Sequence, residues 1–267
     1  MQHRRGVRYY FDLYGVYLRL YFRTLVAYRA DTLVAFFGGL LTQVSALLFL
    51  SSIFRHIPRL AGWDYYELLF IFSVSLTAGA LSIVFLNAPF SIHGYIRRGT
   101  LDLMLIRPAG TLFQIVAMSQ EINGIGSVAT GLAMMGYAMA HLPLEWSAGS
   151  VVYLALALLS GMIVKFAVLL FFTVLAFWVF EMRSVLYPVT WLFDFTQYPL
   201  GVFHPFMRGL LTYVLPFSLG TYYPAVYLLR PELHGAALFA PLAGLLVAAV
   251  AYGFWRIGLR HYESASG

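Results

Sequence analysis

Three ionisable side chains stand inside apolar stretches of this sequence: Glu121, Lys165 and Asp194. Each costs about 2.5 to 3.5 kcal/mol in a hydrocarbon setting unless it is paired or hydrated. Lys165, the sole lysine, is flanked by Val164 and Phe166 near the middle of its run. Its stem cannot reach either edge of the run, so it needs a partner or a watery cavity. Asp194 falls on one helical face with Tyr187, Trp191 and Tyr198, at spacings of 4, 3 and 4, which sets an acid within an aromatic stripe. Two readings fit these residues. One is a substrate path or charge relay; the other is a structural pair of Lys165 with Asp194 or Glu121 that fixes helix register.

The segment SIHGYIRRGTLDLMLIRPAG at 91–110 carries a second kind of chemistry. Arg97, Arg98 and Arg107 flank the apolar motif LDLML, which holds Leu103, and Asp102 falls in the first turn of a short helix predicted to start near Thr100. Such an apolar and basic element either rests on lipid headgroups or serves as a peg for a cytoplasmic partner.

Other chemistries lack their residues. No GxxxxGK[ST] is present, and Lys165 sits in the wrong setting to supply one, so the chain is not expected to hydrolyse ATP or to bind a cofactor of its own. HExxH and GxSxG are absent, and the seven histidines are scattered rather than clustered as metal ligands are. Zero cysteines exclude disulfides, thiolate metal sites and a cysteine nucleophile. No catalytic residue and no metal site is predicted.

The elements that position these residues follow from composition. Of 267 residues, 61% are hydrophobic and only 10% charged, with a mean hydropathy of +0.79, which excludes an ordinary soluble domain. An all-α polytopic membrane protein is predicted, with six transmembrane helices, an amino-terminal interfacial helix and a re-entrant hairpin before the last span. Residues 1–30 form the interfacial helix: Arg8, Asp12, Arg19 and Arg23 follow one stripe, and Tyr10, Tyr14, Tyr17, Tyr21, Leu25 and Tyr28 follow another. The charges interrupt this segment too often for a cleaved signal peptide. Residues 31–260 form the transmembrane domain, with spans near 32–54, 65–90, 112–140, 151–180, 185–203 and 236–255, and residues 261–267 form a tail. The third span is glycine-rich at Gly124, Gly126, Gly131 and Gly136, which permits close helix approach. The fourth is ended by Glu181 and Arg183. Between the fifth and sixth, Pro216, Gly220 and Pro224 divide 208–230 into half-helices, as a re-entrant hairpin requires.

The charge is +6, from 17 Lys and Arg against 11 Asp and Glu. These charges sit in short segments between apolar runs, which serves bilayer orientation rather than nucleic-acid binding. With six crossings, twelve arginines fall on one side and Arg55, Arg59, Arg208 and Arg230 on the other. Both termini are therefore expected in the cytoplasm.

Taken together, RRGTLDLMLIRPAGTLF at 97–113, FDFTQYPLGVF at 193–203, LPFSLGTYYPAVYLL at 215–229 and the terminal GLRHYESASG resemble the small six-span permeases of the type 2 ABC exporter superfamily. The resemblance is closer to a bacterial branch described as drug or viologen exporter permeases. It implies a connecting helix at the amino terminus, a coupling helix between spans two and three, and a hairpin before span six. It also implies separate ABC ATPase subunits that bind ATP and magnesium, a second permease chain, identical or homologous, and residence in the bacterial cell membrane. By position, Arg97, Arg98, Asp102, Leu103 and Arg107 would couple the chain to the ATPase. The rival from another class is an ion-coupled secondary transporter that uses Glu121, Lys165 and Asp194 as a relay; absent inverted repeats count against it.

Overall fold

A polar turn starts the most deeply buried helix of the molecule. Leu60 and Trp63 pair across it, while Ala61 and Gly62 adopt left-handed φ values of 51° and 86°. The Asp64 carboxylate accepts from the Glu67 N–H at 2.9 Å, and the Glu67 carboxylate accepts from the Asp64 N–H at 3.0 Å. This reciprocal cap satisfies donors that a helix start leaves open. The apolar run Tyr65–Leu86 then follows, buried along nearly its whole length.

The computed structural model describes residues 6–143, 146–178, 183–230 and 235–262. Arg4, Arg5, Glu181 and the tail beyond Tyr262 lie outside them. Every regular element among the described residues is helical: α1 (Val7–Ala27), α2 (Arg29–His56), α3 (Tyr65–Leu86), α4 (Ala88–Arg97), α5 (Leu101–Leu105), α6 (Thr111–Met118), α7 (Ile125–His141), α8 (Ala148–Val174), α9 (Arg183–Asp194), α10 (Pro205–Gly209), α11 (Phe217–Gly220), α12 (Tyr222–Leu229) and α13 (Ala240–Arg260), with short 3-10 and π turns between them. Four stretches are long and apolar enough to cross a membrane: Arg29–His56, Tyr65–Arg97, Ala148–Phe177 and Ala237–Arg260.

Three expected segments differ in detail. The run 112–140 is not one helix: Ser119 and Glu121 leave helical geometry between α6 and α7. The polar sequence SQEING at 119–124 favours a break, and α3 fills the gap, its Val84 carbonyl accepting from the Glu121 N–H at 3.3 Å. The run 185–203 stays α-helical only to Asp194 and continues as two 3-10 turns, Phe195–Gln197 and Leu200–Val202. Pro199, which lacks a backbone donor, stands between those turns. The run 208–230 comprises the end of α10, a π turn at Leu210–Val214, α11 and α12.

Packing places α3 and α8 at the centre. One apolar cluster joins Leu68, Phe72 and Val74 of α3 to Met134 of α7, Val164 of α8, Phe193 of α9, Phe217 of α11 and Val226 of α12. A second, at the other end, joins Ile92, Leu101, Met104, Ile115, Val174 and Trp255. Small residues set the spacing between helices. A Cβ on Gly161 of α8 would fall 2.6 Å from the Gly220 carbonyl, and one on Gly244 of α13 would fall 2.8 Å from Ser160 Oγ. Gly124, Gly126 and Gly131 are equally confined, whereas Gly136 faces open space.

Candidate coupling knob and intramembrane clefts

The knob is built by a turn that only a short, mixed sequence can make. Helix α4 ends at Arg97, Gly99 takes a φ of +66°, and the LDLML motif forms the single-turn α5. Leu101 and Met104 face inward and are buried in the second apolar cluster. Leu103, Leu105 and Ile106 face outward, Ile106 being 82% exposed, with Arg97, Arg98 and Arg107 exposed around them. Thr100 precedes α5 as predicted, although its side chain donates to the Tyr95 carbonyl at 3.4 Å rather than capping the helix.

Two residues hold this knob that were not singled out from sequence. Gln114 of α6 is 1% exposed, and its amide donates to the carbonyls of Met104 at 2.9 Å and Ala109 at 2.8 Å. It spans the loop and fixes both of its ends. Tyr262, beyond α13, sits beside Asp102; burial first, then the carboxylate, raises its hydroxyl above the ordinary tyrosine pKa. Its ring meets Phe177 at 6.0 Å, and Phe177 meets Trp255 at 5.6 Å. A lone glutamine in the apolar string TLFQIVAM is the one sequence signal that pointed to Gln114.

The ionisable residues of the apolar runs gather around Lys165. Lys165 is 4% exposed; its Nζ donates to the Gly79 carbonyl at 3.4 Å and lies 4.5 Å from the centre of the Phe193 ring. Glycine at 79 is what admits both, since a Cβ there would meet Phe193 at 2.6 Å and Nζ at 3.3 Å. Among the described residues, no ion pair within 4 Å joins Lys165 to Asp194 or Glu121.

Lys165 instead stands where two clefts meet. A cleft of about 330 Å³ is lined by Glu121, Asn87, Tyr187 and Thr190 together with Lys165. Its neighbour, about 250 Å³, is lined by Asp194, Gln197, Gln43, Ser75 and Ser127, again with Lys165. Lys165 thus lines one cleft with Glu121 and the other with Asp194. The aromatic stripe is only partly preserved: Tyr187, Trp191 and Asp194 share the exposed face of α9, with Trp191 64% exposed. Tyr198 leaves that face because the helix has ended, and its ring packs on Phe72 at 6.3 Å.

Pro216, Gly220 and Pro224 fall in the broken segment 208–230. Its end at Arg230 lies beside the 60–64 turn, the guanidinium donating to the Gly62 carbonyl at 3.0 Å, and Gly201, seven residues ahead of the segment, stands near the same turn, since a Cβ there would fall 3.6 Å from Ala61. Arg230 also pairs with Glu67 at 2.7 Å and covers the Trp63 ring at 4.2 Å. Gly220 rests on Gly161 in the middle of α8.

A helical, multi-pass membrane protein with an exposed basic knob at one end and polar clefts within its apolar body has the form of a transporter's membrane component. Residues 40–266 match the ABC-2 family transporter protein model, and the chain belongs to that family. Membership implies ABC ATPase partners in general. No curated protein matches the chain.

Proposed function

We propose that the chain is the permease subunit of an ATP-driven exporter, in which two permease chains, identical or homologous, form the substrate path and separate ATPase subunits supply the energy. The knob carries this reading. Leu101 and Met104 anchor it, Gln114 stiffens it, and Leu103, Ile106, Arg97, Arg98 and Arg107 are left outward. An anchored element that exposes apolar and cationic groups together matches a peg seated in a partner's cleft. Asp102, next to Tyr262, links the knob to the end of α13. The chain is then a transport subunit rather than an enzyme, with ATP and magnesium held by the partner.

Six crossings account best for the charge distribution, with α6 and α7 sharing one crossing and α9 with its following turns forming another. Residues 208–230 are then a re-entrant hairpin, a reading supported by Arg230 at the 60–64 turn and by Gly201, shortly before the segment, near the same turn. Residues 7–27 serve as the interfacial connecting helix on the cytoplasmic face of the bacterial cell membrane, where both termini lie. Glu121, Lys165, Asp194 and Trp191 line the path, and Tyr198 supports it through Phe72. The family does not favour the ion-coupled reading.

Copurification tests the proposal. An ATPase subunit should accompany the tagged wild-type chain and be lost from Ile106→Glu and from the double variant Arg97→Ala, Arg98→Ala. Retention of the ATPase by both variants, or transport by the chain alone on a proton gradient, would refute it.

A further inference from the structure

A groove of about 550 Å³, which shares no lining residue with the Lys165 clefts, runs between α8, the segment 212–219 and α13. Its size is that of a small-molecule site. The lining is apolar from Ala167, Phe171 and Phe172 to Leu246 and Val250, and its sole polar residues are Thr212 and Tyr213. Those same two residues also line a second cleft of about 270 Å³ with Arg208, Pro205 and Tyr223. The groove therefore has one polar end, and that end opens on a cation.

The cation is available. Arg208 is exposed; its Nε donates to the Phe203 carbonyl at 3.1 Å, and among the described residues no carboxylate pairs with it. Thr212 is occupied by Ser218 at 3.1 Å, and Tyr213 is 84% exposed beside the entrance. The heights agree as well. Pro205 follows four residues after Gly201, whose Cβ would stand 3.6 Å from Ala61 of the 60–64 turn, whereas Leu246 and Val250 sit at the middle of α13. A ligand lying along the membrane normal would place its head at Arg208 and its tail at mid-depth.

We propose that the paired clefts bind one anionic phospholipid, with its phosphate at Arg208 and an acyl chain in the groove. Burying apolar chain drives entry, and the guanidinium selects the charge of the head. A helix from a second copy would satisfy the apolar walls but not the cation at one end. The site is independent of the coupling knob and of the Lys165 path.

Native mass spectrometry of the full chain, purified with the subunits that accompany it and loaded with phosphatidylglycerol or phosphatidylcholine, tests this. Wild type should retain phosphatidylglycerol in preference. Arg208→Gln, an exposed substitution, should lose about five-fold of that preference, the worth of one surface arginine, and Arg208→Lys should keep most of it. Val250→Trp should fill the groove and remove both adducts. Equal retention of the two lipids by every variant would overturn the proposal, as would displacement of the lipid by glycerol phosphate at equal concentration. If Val250→Trp instead splits a dimer while both adducts persist, the groove is a subunit contact and the lipid assignment fails.

Discussion

Lys165 shows how one residue carries information that its neighbours do not. A buried ammonium with one carbonyl at 3.4 Å and an aromatic face at 4.5 Å is poorly compensated for a charge inside an apolar body. Replacing a buried charge with an apolar side chain of similar length is often neutral or stabilising by about 1 to 4 kcal/mol. Lys165→Met is therefore expected to melt at the same temperature or higher in detergent, yet to lose export of whichever compound stimulates ATP hydrolysis by the wild-type assembly. A variant that unfolds early would assign Lys165 to structure, and one that exports normally would remove it from the path. The type and depth of Lys165 were legible in sequence. Its partners were not, because Gly79 and Phe193 reach it from helices distant in the chain, and glycine announces no contact of its own.

At the scale of elements, backbone breaks do the positioning. Gln114 ties the carbonyls at 104 and 109, and each such bond contributes about 1 kcal/mol net. Gln114→Leu should keep the fold but loosen the knob, which hydrogen exchange across 101–109 would register as faster exchange, with weaker ATPase retention. Unchanged exchange would show that the loop is held elsewhere. The folded-back segment makes a separate prediction. Since the chain has no cysteine, single cysteines at Gly201, Arg208 and Arg230 report topology cleanly. All three should react with a membrane-impermeant thiol reagent from the same side as one at Gly62, and labelling of position 230 from the opposite side would require a full crossing instead. The prolines and glycine of 208–230 disclosed a broken element. That Gly220 comes to rest at Gly161, halfway along α8, depends on two glycines meeting backbone to backbone.

For the whole molecule, the exposed face of α9 matters most. Trp191 and Asp194 are exposed on α9, and with that helix in the bilayer, as proposed, an uncovered acid would be expensive. A second permease packed there would cover Asp194 and close the clefts into an enclosed path. A cysteine at position 191 should therefore cross-link two permease chains with a short bifunctional reagent, whereas one at Leu246, within the proposed lipid groove, should not. Cross-linking at 246 and not at 191 would place the partner on the opposite face and leave the clefts to lipid.

Composition, hydropathy and the distribution of arginines were enough to define a helical membrane protein, a short basic knob at 97–107 and three costly charges, because these depend on residue type and local order alone. The segment 119–124 and the turns after Asp194 were harder, since apolar residues on either side carry the same signal whether or not the helix continues. Only tertiary packing decided that Lys165 joins two clefts rather than closing an ion pair, that Gln114 braces the knob, and that Tyr198 leaves the face shared by Trp191 and Asp194. Lys165 meets Gly79 and Phe193 from distant parts of the chain, where glycine admits close approach; Gln114 finds carbonyls that its own loop leaves unpaired, and Tyr198 turns away where the helix ends.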